Sequence, residues 1–187
     1  MSRIFYIHEN ATQLIAGAIG QPGEREFFLQ IVSIDKVNTL ACDKYQVLAL
    51  ATRASEILEQ LKRSGEINVL DLNLNFSGEN PGLLFPVEED FQIGLMSISF
   101  SSERKFLILE IQALQDEATQ TMYSDEQLEI MEDAPDFLRA NFSISAIRAF
   151  INQAKILVAQ GRKPCPFCGL PISNEGHLCP RANGYRR

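Results

Sequence analysis

Residues 43–65 read DKYQVLALATRASEILEQLKRSG. The apolar side chains Val47, Leu50, Ala51, Ala54, Leu58 and Leu61 recur at i, i+3, i+4, i+7, i+11 and i+14. That spacing puts them on one face of a helix, predicted over residues 44–62. Asp43 can cap its first turn, and Gly65 can end it. A second stretch, residues 143–161, reads SISAIRAFINQAKILVAQG. Ile147, Phe150, Ile151, Ala154 and Val158 repeat the pattern, which predicts a helix over 144–160 with Ser143 as cap and Gly161 as stop. The two apolar faces match at an offset of 100 residues.

Upstream of each helix the match continues at a second offset. Glu24-Arg25-Glu26-Phe27-Phe28-Leu29 parallels Glu103-Arg104-Lys105-Phe106-Leu107-Ile108, 79 residues apart, and Gln13, Leu14 and Ile19 parallel Gln92, Ile93 and Ile98. The offsets differ by 21, which places an insertion in the second half. A strand–strand–strand–helix unit used twice accounts for both. Strands are predicted over 3–8, 13–19, 25–33 and 37–42, then over 92–100, 104–114 and 137–142. One more is suggested within 66–76 by Val69, Asp71, Leu72 and Leu74. Short hairpin connections favour antiparallel pairing, so the expected class is α+β. Two pseudo-repeated antiparallel β-meander-plus-helix halves, about 1–64 and 82–161, form a body of 1–161, followed by a small tail, 162–187.

The chain has 187 residues and is 45% hydrophobic, enough for a real core. No apolar run reaches the roughly 18 residues of a membrane helix. The amino-terminal residues also lack a signal-peptide pattern, so a cytoplasmic location is expected. Charge is uneven. The net of −7 divides into 12 basic against 23 acidic residues in the body, and 5 against 1 in the tail. An acidic body argues against broad nucleic-acid binding, because phosphate neutralisation needs a basic face. Local contact through Arg181, Tyr185, Arg186 and Arg187 stays open. The insertion, 115–136, holds Asp116, Glu117, Asp125, Glu126, Glu129, Glu132, Asp133 and Asp136 with no Lys or Arg. It reads as a solvated helix and loop, or as a docking surface for a basic partner or for the tail. Ser124 through Gln127 fits a capping box.

The tail carries a metal-ligand pattern. Cys165-Pro166-Phe167-Cys168-Gly169 precedes Gly176-His177-Leu178-Cys179-Pro180, which is C-x2-C, eight residues, then H-x-C. Zinc takes four tetrahedral sulfur and nitrogen ligands, and Cys165, Cys168, His177 and Cys179 supply them. A closed four-ligand set favours one structural Zn2+ over a catalytic ion. Such an ion would order a segment too short for its own core. A redox dithiol would normally sit where a strand enters a helix, whereas this pair follows a helix.

Other residues are also site candidates. His8 alternates with Ile4 and Tyr6 on a predicted strand. It is the histidine that a Ser–His or Cys–His pair would need if His177 binds metal, and otherwise reads as an ordinary strand residue. Cys42 reads as a buried core thiol. Glu88, Glu89 and Asp90 could face a hard cation, although adjacent carboxylates rarely converge on one ion. Glu24-Arg25 and Glu103-Arg104 read as strand-end ion pairs, or as a carboxylate–arginine cleft between the halves. The segment Gly20-Gln21-Pro22-Gly23 is a turn rather than a phosphate loop, because a strand follows it. No nucleophile elbow, Walker loop or H-E-x-x-H motif is present. Catalytic residues therefore stay unassigned. A protein-interaction or adaptor role with structural zinc is the leading expectation.

The C-x2-C arm resembles the knuckle of zinc ribbons, with H-x-C standing where a second C-x2-C is usual. Three stretches together resemble an uncharacterised bacterial family best known from actinobacteria. They are Gly20 through Arg25 with Phe28-Leu29-Gln30, then Pro86-Val87-Glu88-Glu89, then the ending from Cys165 to Arg186. The resemblance implies the zinc-knuckle-like ending and no particular reaction.

Overall fold

The computed structural model describes residues 3–21, 23–67, 82–115, 122–124, 127, 134–160, 165–170, 172 and 176–181. Both predicted helices form where the apolar period puts them. Helix α1 spans Lys44–Ser64 and buries Val47, Leu50, Ala51, Ala54, Ile57, Leu58 and Leu61. Its N-cap Asp43 accepts from the Gln46 N–H, while the Gln46 side chain accepts from the Asp43 N–H, closing a capping box. Gly65 ends it in the left-handed region, with Lys62 and Arg63 in the last turn against the helix dipole. Helix α2 spans Ile144–Ala159 with Ser143 as N-cap, and buries Ile147, Phe150, Ile151, Gln153 and Ala154. Its C-cap is Gln160; the predicted stop, Gly161, lies outside the described residues.

Seven strands make one sheet: β1 (Phe5–Ala11), β2 (Gln13–Ile19), β3 (Glu26–Val32), β4 (Val37–Cys42), β5 (Phe91–Ser101), β6 (Phe106–Ala113) and β7 (Phe137–Phe142). Their spatial order is β1-β7-β6-β5-β4-β3-β2. Each half is an antiparallel meander, β2-β3-β4 and β5-β6-β7, followed by its helix. The halves join through a parallel pair, β4 on β5, which the long α1 crossover permits.

The first strand departs from expectation. Its position in the sequence predicts a place in the first half, but it pairs in parallel with β7 of the second. Thr12 alone separates β1 from β2. A hairpin needs about two loop residues, so the chain cannot reverse there. It runs on and lends its first segment to the opposite edge. The same link curls the sheet. Seven flat strands at about 4.8 Å spacing would hold the edges about 29 Å apart. Here one residue spans them, and the Thr12 N–H reaches the Val32 carbonyl at 2.8 Å. The sheet is therefore an incomplete barrel.

Helices and the barrel's inner face share one core. Leu29, Leu40, Leu107, Leu109, Leu138 and Phe142 meet Val47, Ala54, Ile147 and Phe150 there, all fully enclosed. The outer face of β2 and β3 is covered by a strap, residues 82–90. Buried Gln30 clasps its backbone, donating to the Leu84 carbonyl at 2.9 Å and accepting from the Leu84 N–H at 2.8 Å. Gly17 lies under this strap, and a Cβ there would stand 2.3 Å from Leu83 Cγ. Gln112 holds the Tyr123 backbone in the same two-bond way, at 3.2 and 3.3 Å.

Little else of the insertion lies within the described residues. Ser124 and Gln127 do make the two reciprocal capping bonds, at 2.9 and 3.3 Å. The suggested strand within 66–76 falls almost wholly outside them. Among the described residues, no helix is long and apolar enough to cross a membrane.

Candidate metal centre

Beyond α2 the chain reaches Cys165, whose carbonyl accepts from the Gly169 N–H and whose own N–H donates to the Leu170 carbonyl, each at 2.8 Å. These bonds close a tight loop around the C-x2-C arm. The Phe167 N–H points at the Cys165 sulfur, 3.4 Å away. Gly169 has φ of 76°, which is why a glycine follows the second cysteine.

The second arm completes the group. Cys165 Sγ lies 3.7 Å from Cys179 Sγ, and Cys168 Sγ lies 3.2 Å from His177 Nε2. The four ligand atoms all fall within 4.8 Å of one another. Tetrahedral zinc with bonds of about 2.3 Å sets its sulfurs about 3.8 Å apart, so the donor set fits this ion. Cys165 and Cys179 are buried, while Cys168 and His177 are half-buried. Burial opposes the Cys165 thiolate, but the N–H groups of Cys168 and Phe167, together with the Cys168 and Cys179 thiols, hold this thiol below its ordinary value. Around the ligands, Phe167, Leu170 and Leu178 stand exposed, with Leu178 86% open to solvent. Arg181 crosses between the arms, donating to the Phe167 carbonyl at 3.1 Å.

The remaining candidates resolve differently. Among the described residues, the Cys/His cluster is the one grouping fit for a metal ion. Asp90 accepts from Asn38 Nδ2 at 3.0 Å and from the Thr39 N–H at 2.9 Å, while Glu88 and Glu89 do not converge with it. Arg25 donates to the Gln160 carbonyl at the end of α2. The ion pairs among the described residues are Arg53–Glu56, Lys105–Glu66 and Arg139–Glu110, so neither predicted strand-end pair is among them. Arg139 donates from Nε and from Nη2 to Glu110 Oε1, at 2.9 and 2.8 Å, and Ser97 donates to Oε2 of the same carboxylate at 3.0 Å. Between the helices runs a shallow open groove of about 360 Å³, lined by Glu56, Glu59, Arg63 and Lys155 among others. Its charged groups are solvated rather than convergent. Cys42 packs against the core, and burial pushes its thiol up to about 12.

His8 is where the sequence reading was incomplete. It is 1% exposed, and both ring nitrogens are engaged. Nδ1 lies 2.7 Å from Ser33 Oγ, and Nε2 lies 2.8 Å from Asn38 Oδ1. The partners are 25 and 30 residues away in the chain, and barrel closure brings them together. No local motif announces that set.

The comparisons bear on the whole chain. A family model described as a protein of unknown function, DUF3090, matches residues 6–179. The chain belongs to the DUF3090 family. The match spans the barrel, both helices and all four candidate ligands. No curated protein and no solved structure matches it. The family assignment therefore names the unit that the geometry describes and leaves its chemistry to the residues.

Proposed function

We propose that this DUF3090 chain is a cytoplasmic bacterial interaction module whose recognition tail is held in shape by one structural zinc ion. The observation that carries the reading is the convergence of three sulfurs and one imidazole nitrogen within 4.8 Å. Four protein ligands leave no open position for substrate, which favours structure over catalysis. With the ligands turned inward, Phe167, Leu170 and Leu178 face solvent. Exposed apolar groups fixed on a small rigid loop suit a protein partner, and the acidic insertion offers a second docking surface. The equivalent order of strands and helix in the two halves supports reading the body as a duplicated scaffold.

Photo-cross-linking in the native host tests this function. A photoreactive residue in place of Leu178 is expected to capture a defined protein partner, and zinc chelation is expected to abolish capture. Absence of any adduct, or an adduct indifferent to chelation, contradicts the reading.

A further inference from the structure

We propose that Ser33 and His8 form a nucleophile–base pair that hydrolyses small esters without a metal ion, independently of the tail. The argument begins with the side-chain orientations. Asn38 donates from Nδ2 to the Asp90 carboxylate at 3.0 Å, which fixes its amide with Oδ1 toward His8. Oδ1 can only accept, so His8 Nε2, 2.8 Å away, carries the ring proton. Nδ1 is then the bare nitrogen, and the Ser33 hydroxyl, 2.7 Å away, donates to it. Asp90 is itself held by the Thr39 N–H at 2.9 Å. A serine proton thus points at a basic nitrogen whose far side is anchored through an amide to a carboxylate. That is the geometry by which a weak hydroxyl nucleophile is activated.

The setting matches. Ser33 is half-buried at the mouth of a turn closed by its N–H on the Lys36 carbonyl at 2.9 Å. Ile34 and Val37 are exposed next to it, at 95% and 43%, and offer apolar surface to an acyl chain. Lys36 donates its ammonium to the Ile7 carbonyl, the residue before His8. Burial chiefly holds His8 below its ordinary value, aided by Lys36 and opposed by the Asn38 contact, Asp35 and Asp90, so the ring is a neutral base near pH 7.

The chemistry balances. Ser33 Oγ bonds to the ester carbonyl carbon as its proton passes to His8 Nδ1, and the carbonyl electron pair moves to oxygen. The Lys36 ammonium, bonded to the Ile7 carbonyl beside His8, is the positive group proposed to favour that negative charge. Collapse breaks the bond to the alcohol oxygen, which leaves with the proton from Nδ1. Water then repeats the sequence on the acyl-serine, releasing a carboxylic acid and restoring Ser33. Ser33 and His8 are the catalytic residues, and Asn38 and Asp90 position the base.

The full-length, zinc-loaded protein is tested with a fluorophosphonate probe and with p-nitrophenyl acetate. Peptide mass spectrometry is expected to find one phosphonyl adduct, on Ser33, forming faster as pH rises through the His8 titration. Ser33→Ala, which keeps the Asn38–His8 bond and should keep the fold by circular dichroism, is expected to remove the adduct and the esterase rate together. His8→Gln should slow labelling by about 100-fold or more. Asp90→Asn should shift the pH midpoint of labelling, which a purely structural role would not move. No adduct on the folded protein, or labelling and hydrolysis unchanged in Ser33→Ala, overturns the proposal.

Discussion

Cys165 and Cys179 bring their sulfurs to 3.7 Å although 14 residues separate them in the chain. Both are buried in a segment with almost no other enclosed side chain among its described residues. Thiol pairs alone supply little cohesion, whereas an ion bonded to both would account for the closure. Cys165→Ser or Cys179→Ser is expected to release the metal and raise amide hydrogen exchange across residues 162–187. The helix signal of the body should stay, because the barrel core is a separate cluster. Loss of that signal would show that tail and body fold as one.

Phe150 is fully enclosed where α2 meets the sheet and α1. Phe150→Ala should destabilise the body by about 3–5 kcal/mol, the range for a large cavity in a packed core. Urea unfolding followed at 222 nm measures it. A change below about 1 kcal/mol would mean that the helix does not seal the barrel.

Asp43 caps α1 through a bond of 2.7 Å to the Gln46 N–H. Asp43→Ala should cost about 1 kcal/mol, and Asp43→Ser much less, because serine offers the same acceptor. Equal effects from both would assign the loss to charge rather than to capping.

His8 gives the body a pH dependence with a definite sign. Burial lowers its proton affinity in the folded state below the ordinary value of 6.5. The unfolded chain then binds the proton more tightly, so the contribution of His8 is complete above about pH 6.5 and declines as pH falls below it. The wild type should therefore lose stability as pH falls below about 6.5 more steeply than His8→Gln. Parallel curves would place the ring in solvent.

These outcomes track how far each feature could be read in advance. Helix caps and apolar faces were legible because they depend on residues three or four apart: Asp43 with Gln46, and Val47 with Leu50 and Ala51. The clustering of Cys165, Cys168, His177 and Cys179 was legible because their short spacing keeps the two arms close. The place of β1 was not, since pairing Phe5 with Phe137 is decided by closure of the whole sheet. For the same reason the Ser33–His8–Asn38 contacts and the clasp of Gln30 on Leu84, 54 residues away, left no local trace. The strands themselves were visible, whereas their neighbours had to be seen.

X-ray absorption at the zinc edge, on purified full-length protein under reducing conditions, tests the metal centre most directly. The expected spectrum shows one zinc per chain with three sulfur neighbours at about 2.3 Å and one nitrogen at about 2.0 Å. A chain free of zinc with a Cys165–Cys179 disulfide, or zinc surrounded by oxygen, would contradict it.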